Sequence, residues 1–135
     1  MISLIYGPKG TGKTKIILEK INEAAKNAKG NVVFIAKKRE YSVDIDFSVK
    51  CIFADEYGVD NAQQLRGFIK GVLAGNNDIE YLFIDGIARM ANTQLCELEA
   101  LFADLDAMAK DKINLVLTIS SDLESMPSFV KKFVG

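Results

Sequence analysis

Histidine and tryptophan are absent from this 135-residue sequence, cysteine occurs only at Cys51 and Cys96, and proline only at Pro8 and Pro127. Without imidazole there is no histidine general base, no serine or cysteine triad that needs one, and little scope for a zinc site. The two cysteines are too few for a disulfide framework, and both are expected as buried thiols packed like small apolar residues. No apolar run approaches the roughly eighteen residues that span a bilayer, and no charged leader precedes Ile2 to Tyr6. A cytoplasmic protein with no membrane partner is expected. An excess of one charge is also missing: 17 basic and 18 acidic residues leave −1, which argues against broad capture of nucleic acid or anionic lipid. The clusters Lys37-Lys38-Arg39 and Lys131-Lys132 are short and lack the interleaved aromatics of a nucleic-acid platform, so nucleic acid is not an expected partner.

What remains is an ordinary globular composition, 49% apolar and 26% charged, in a chain long enough to bury about two-thirds of its unfolded surface. No repeat, linker or low-complexity tract divides it, and residues 1–135 are read as one domain. Five β-rich apolar runs, Ile2 to Tyr6, Val32 to Ala36, Val49 to Ala54, Tyr81 to Asp85 and Asn114 to Ser120, are near-continuous, as strands covered on both faces of a parallel sheet require. Helical spacing lies between them. Ile17, Ile21, Ala24 and Ala28 recur at three or four positions. Asp60 is read as the cap of a second helix facing inward through Leu65, Phe68 or Ile69, and Val72. Asn92 or Thr93 is read as the cap of a third, with Leu95, Leu98, Leu101 or Phe102, Leu105 and Met108 on its stripe. Between residues 40 and 50, Tyr41, Val43, Ile45, Phe47 and Val49 alternate with polar residues. That pattern predicts a connector or edge strand with Asp44 and Asp46 on its solvated face. The whole reads as an α/β domain with right-handed crossovers.

The first strand runs into Gly7-Pro8-Lys9-Gly10-Thr11-Gly12-Lys13-Thr14, which fits G-x-x-x-x-G-K-[ST] at every fixed position. Wrapping β- and γ-phosphates with backbone N–H groups needs glycine where a side chain would block approach. The helix that follows points its positive end at the anion. Lys13 supplies a mobile positive charge and Thr14 a hydroxyl able to ligate Mg²⁺. Gly7, Pro8, Lys9, Gly10, Thr11, Gly12, Lys13, Thr14 and the adjoining Lys15 are therefore the candidate nucleotide-binding residues. A second anchor is expected from a carboxylate at the end of a neighbouring strand. In Tyr81-Leu82-Phe83-Ile84-Asp85, four apolar residues precede the acid, which marks Asp85 as a candidate metal-binding and catalytic residue beside Thr14 and Lys13.

On these residues the chain resembles P-loop NTPases, most of all the RecA-type ATPase core. The likeness runs through residues 7–14, the strand at 32–36, the strand and helix at 50–73, the Walker B segment 81–85 and the strand at 115–120. It implies a three-layer α/β/α fold with a mainly parallel five-stranded sheet in the order 5-1-4-3-2, one strand lying between the P-loop strand and the Walker B strand. The chain also resembles small bacterial P-loop proteins labelled as twitching-motility ATPases. Those motors carry a histidine motif and a separate N-terminal domain, neither of which is read in these residues, so the motor role does not carry over. The resemblance further implies a glutamate that polarises the attacking water. Gly86 follows Asp85 instead, and Glu40 and Glu56 become the candidates. It implies a polar sensor after the last strand, at Ser120 or Ser121, and an arginine supplied in cis or by a neighbouring subunit, for which Arg89 is the local candidate.

The expected ligands are thus ATP and Mg²⁺. ATP is preferred to GTP because no Asn-Lys-x-Asp guanine reader is present. The expected activity is a slow or partner-activated Mg²⁺-dependent ATPase, acting as a homo-oligomer or with a protein partner. The alternative is a nucleotide-responsive switch without appreciable hydrolysis. A small-molecule kinase ranks lower, since three scattered arginines do not make a phosphate-covering lid.

Overall fold

The five apolar runs pair side by side as β1 (Ile2–Gly7), β2 (Asn31–Ala36), β3 (Lys50–Phe53), β4 (Ile79–Ile84) and β5 (Asn114–Ser120), every ladder parallel. The structure, a computed structural model, describes residues 1–40, 44–110 and 112–135. The strand order is β1-β5-β4-β2-β3, which corrects the expected 5-1-4-3-2. β5 lies between β1 and β4, and β2 rather than β3 neighbours β4. One strand does separate β1 from β4, as the resemblance implied for the P-loop and Walker B strands, whereas the order 5-1-4-3-2 would have made the two neighbours. The physical reason lies in the sequences. The central strands β2, β4 and β5 carry almost unbroken apolar residues and are covered on both faces. The marginal strands bear what the interior rejects: Ser3 and Tyr6 on β1 and Lys50 on β3 are exposed.

Alternation along β2 sorts the two layers. Val32, Phe34 and Ala36 join Ile17, Ile21 and Ala24 of α1 (Lys13–Asn27) on one face. Val33 and Ile35 join the opposite cluster, which contains Leu65 and Ile69 of α2 (Ala62–Ala74) and Leu101, Phe102 and Leu105 of α4 (Glu99–Ala109). The short α3 (Ile87–Met90) and α5 (Ser128–Lys131) complete that layer through Ile87, Met90 and Val130. The sheet is therefore sandwiched between helices, as a parallel sheet requires.

Local chemistry moved several expected boundaries. The cap of α2 is Asn61, not Asp60. Its side chain accepts from the Gln64 N–H at 2.8 Å, while the Gln64 side chain accepts from the Asp60 N–H at 2.7 Å, a reciprocal closure that one residue's shift makes possible. The third predicted helix starts later than Asn92 or Thr93. Asn92 takes φ 53° just beyond α3, and a 3-10 turn at Leu95–Glu97 precedes α4.

The predicted edge strand does not form over residues 44–49. Tyr41, Ser42 and Val43 fall outside the described residues. The Asp46 carboxylate accepts from both the backbone N–H and the hydroxyl of Ser48, a local turn that competes with extension, and these bonds hold it below the usual carboxylate range. Phe47, expected inward, is 99% exposed. The Asn22 side chain of α1 binds the segment from below, donating to the Asp44 carbonyl and accepting from the Asp46 N–H at 2.8 Å each. The cysteines also depart from expectation: Cys51 is half-buried and Cys96 exposed, and both are free.

Candidate functional site

The carboxyl end of β1 continues through a bend into α1, and Gly12 sits at its base with φ 85°, a left-handed conformation that a residue without Cβ adopts freely. No side chain caps α1, so the amides of its first turn and the positive end of the helix are left for a ligand. Lys13 is buried although it carries a charge. Its ammonium donates to the Pro8 carbonyl at 2.9 Å, and the Thr11 hydroxyl donates to the same carbonyl at 2.7 Å. The bend thus closes around one shared acceptor and holds the ammonium within it.

This bend forms one wall of a cavity of about 440 Å³, within the range of small-ligand pockets. Lys9, Gly10, Gly12, Lys13 and Thr14 line that wall. Asp85, Gly86 and Arg89 line it from beyond β4, and Thr118, Ile119 and Ser120 from the end of β5. All three walls are carboxyl ends of strands, the side on which open α/β sheets hold ligands. Gly7, Pro8 and Thr11 shape the bend without lining the cavity, and Lys15, exposed on α1, does not line it either.

Asp85 is 4% exposed and its two oxygens differ. Oδ1 accepts a hydrogen bond from the Thr118 hydroxyl at 2.5 Å, and the Thr118 oxygen in turn accepts from the Gly86 N–H at 2.9 Å. Oδ2 is buried without a partner among the described residues. A buried acceptor left unmade costs about 1–3 kcal/mol, more when charged, and such exceptions are found where a ligand completes the site.

Thr118 did not emerge from the sequence, which pointed to Ser120 and Ser121 instead. Ser120 does line the cavity, while the Ser121 hydroxyl donates to the Asp122 carbonyl. A signal for Thr118 was available. It is the polar member of the otherwise apolar run 115–119, and a hydroxyl at such a depth requires a partner.

The two glutamates are not brought to this cavity. Glu56 accepts both the Nε and Nη2 donors of Arg39, at 2.6 and 3.1 Å, and its hydrogen bond and charge push the guanidinium above its ordinary value. Glu40 lines a smaller neighbouring cavity with Lys37, Lys38 and Arg89.

A magnesium ion fits the donors that are present. The Thr14 hydroxyl and the free Asp85 Oδ2 are hard oxygen ligands on one cavity. No cluster of three or more acidic, histidine or cysteine residues occurs among the described residues, which suits an ion that takes one or two protein ligands and completes its shell with water and phosphate.

A family model described as the ATPase family associated with various cellular activities (AAA) matches residues 3–131. Among curated proteins there is no match. Among solved structures, the chain is similar to a KaiC-like protein of the hyperthermophilic archaeon Pyrococcus horikoshii, with a TM-score of 0.69 and 17% identity, over 98% of this chain and 68% of that one. At that identity the likeness is one of fold.

Proposed function

The chain belongs to the ATPase family associated with various cellular activities, a P-loop NTPase core, and from that premise we propose that it binds ATP with Mg²⁺ in the 440 Å³ cavity and turns it over slowly or only with help from a partner or a second copy. The observation that carries the reading is the buried Asp85 carboxylate, one oxygen fixed by Thr118 and the other free, on the same cavity as the Lys13 ammonium and the Thr14 hydroxyl. The uncapped amides of α1 receive the phosphates, and the ammonium exchanges the Pro8 carbonyl for phosphate oxygens. Thr14 and Asp85 Oδ2 would hold the cation, which would supply positive charge to neutralise the phosphates. Positioning and charge neutralisation account for most of phosphoryl transfer, so this arrangement binds well before it hydrolyses well.

The second reading, a switch that holds ATP without appreciable hydrolysis, is supported by specific observations. Glycine stands after Asp85, Glu56 is occupied by Arg39, and Glu40 belongs to the other cavity. Calorimetric titration with ATP in the presence of Mg²⁺, followed by phosphate-release kinetics over a range of protein concentrations, separates the readings. Tight binding with turnover that rises with protein concentration supports the ATPase. Tight binding without turnover supports the switch, and no binding refutes both.

A further inference from the structure

Next to the nucleotide cavity, at the carboxyl ends of β2 and β4, lies a second cavity of about 90 Å³ lined by Ala36, Lys37, Lys38, Glu40 and Arg89. Three of its side chains are cations and one is an anion. None of the three cations forms an ion pair among the described residues. The fold sorts the charged run that supplies two of them. Arg39 turns away to grip Glu56 and lies over the Phe53 ring, 4.8 Å from its centroid. Lys37 and Lys38 are left to the cavity, their backbone fixed by the Asp55 N–H on the Lys37 carbonyl at 3.1 Å and the Glu40 N–H on the Lys38 carbonyl at 2.9 Å.

The third cation arrives from the opposite wall. α3 buries Ile87 and Met90 and leaves Arg89 outside. Its guanidinium lies flat enough on Gly86 that a Cβ there would come within 2.9 Å of Nη2 and 3.2 Å of Nε. Gly86 also holds φ 76°, which side chains rarely adopt. At the position after Asp85, where the resemblance implied a carboxylate, the molecule therefore carries the face of a cation. Three positive groups against the one carboxylate of Glu40 leave the concavity with an excess of positive charge, and a concavity of net positive charge concentrates anions. Lysine and arginine donors suit the oxygens of a phosphate group, and the volume exceeds that of a single water several times over.

We propose that this cavity is a second oxyanion site, taking a phosphate group beside and separate from the triphosphate of the nucleotide cavity, with Arg89 on the wall shared by the two. The phosphate arrives either free or as the head of a phosphomonoester. The site extends beyond the nucleotide reading and does not require it.

The test is a per-residue amide NMR titration of the whole chain, saturated with a non-hydrolysable ATP analogue and Mg²⁺, using inorganic phosphate in one arm and glycerol 3-phosphate in the other. Saturable shifts at Lys37, Lys38 and Arg89, with residues 8–14 unmoved, are expected. Lys38→Glu should weaken them by about tenfold or more and leave the analogue's affinity unchanged. Tighter binding in the glycerol 3-phosphate arm identifies a phosphomonoester as the ligand, and binding confined to the other arm identifies free phosphate. Shifts confined to residues 8–14, no shifts in either arm, or indifference to Lys38→Glu would overturn the proposal. If the analogue itself fails to bind, the nucleotide reading falls alone, and the same titration of unliganded Lys13→Ala protein decides this one.

Discussion

Replacing Thr118 by valine keeps the shape of the side chain and deletes the hydroxyl that ties the end of β4 to β5. Two hydrogen bonds go with it. The 2.5 Å bond to Asp85 Oδ1 has a charged acceptor, for which the usual worth is about 1.5–3 kcal/mol, and the stranded Gly86 N–H costs about 1–3 kcal/mol more. The two losses share an atom and do not add fully, and the new methyl recovers about 0.8 kcal/mol. A net loss of about 2–4 kcal/mol follows, which for a chain of this size lowers Tm by roughly 6–15 °C. Thermal and urea unfolding of the wild type, Thr118→Val and Thr118→Ser at neutral pH provides the measurement. Serine keeps the hydroxyl and should recover most of the loss. A double-mutant cycle with Asp85→Ala should show coupling of about 1 kcal/mol or more. Should valine cost less than about 0.5 kcal/mol, should serine be as damaging as valine, or should the cycle be additive, the hydroxyl bridge is not what fixes Asp85.

Lys13→Ala should lower ATP affinity by about ten- to a hundredfold, the worth of one charge-assisted contact, and an unchanged affinity in calorimetry would falsify its role. ATP with Mg²⁺ at about 100 times Kd should stabilise the fold by about 2.7 kcal/mol, and a melting curve that does not move counts against the site. Asp104, bonded to Arg66 at 2.6 Å and 3.3 Å from the Lys70 ammonium, is held below the ordinary carboxylate value, the Arg66 hydrogen bond contributing most. The stability it confers is complete above about pH 4 and is lost as pH falls through the lowered folded value, so the Tm gap between wild type and Asp104→Asn should narrow on acidification. Burial pushes the Cys51 thiol up, so iodoacetamide at pH 8 should modify the exposed Cys96 first, and mass spectrometry finding Cys51 labelled faster would contradict that.

The sequence was most informative where composition answers to a strict local demand. Gly10, Gly12 and Lys13 of the first bend do line one cavity, and β5 begins and ends at the residues its apolar run predicts. Asp85 was legible for the same reason, as an acid closing a buried strand. Strand order was legible only in part: the polar Ser3, Tyr6 and Lys50 mark β1 and β3 as marginal, but which of the apolar central strands lie side by side is chosen by the layers above and below and leaves no local mark. Phe47 misled because its alternation with Asp46 and Ser48 is satisfied equally by a strand or by the side-chain turn that those two residues form. Ser120 was chosen over Thr118 by its position at the strand's end, while depth decided which hydroxyl meets the carboxylate: Thr118 is buried and Ser120 exposed.

The placement of β1 has a consequence for how the molecule breathes. Among the described residues it pairs only with β5, so every second amide along it points away from the sheet and has no ladder to protect it. The strand that leads into the glycine-rich bend is therefore, with β3 at the opposite margin, one of the two parts of the sheet where deuterium enters early. A ligand gripping that bend does its ordering at the margin, and slowed exchange along residues 2–7 becomes a direct readout of occupancy.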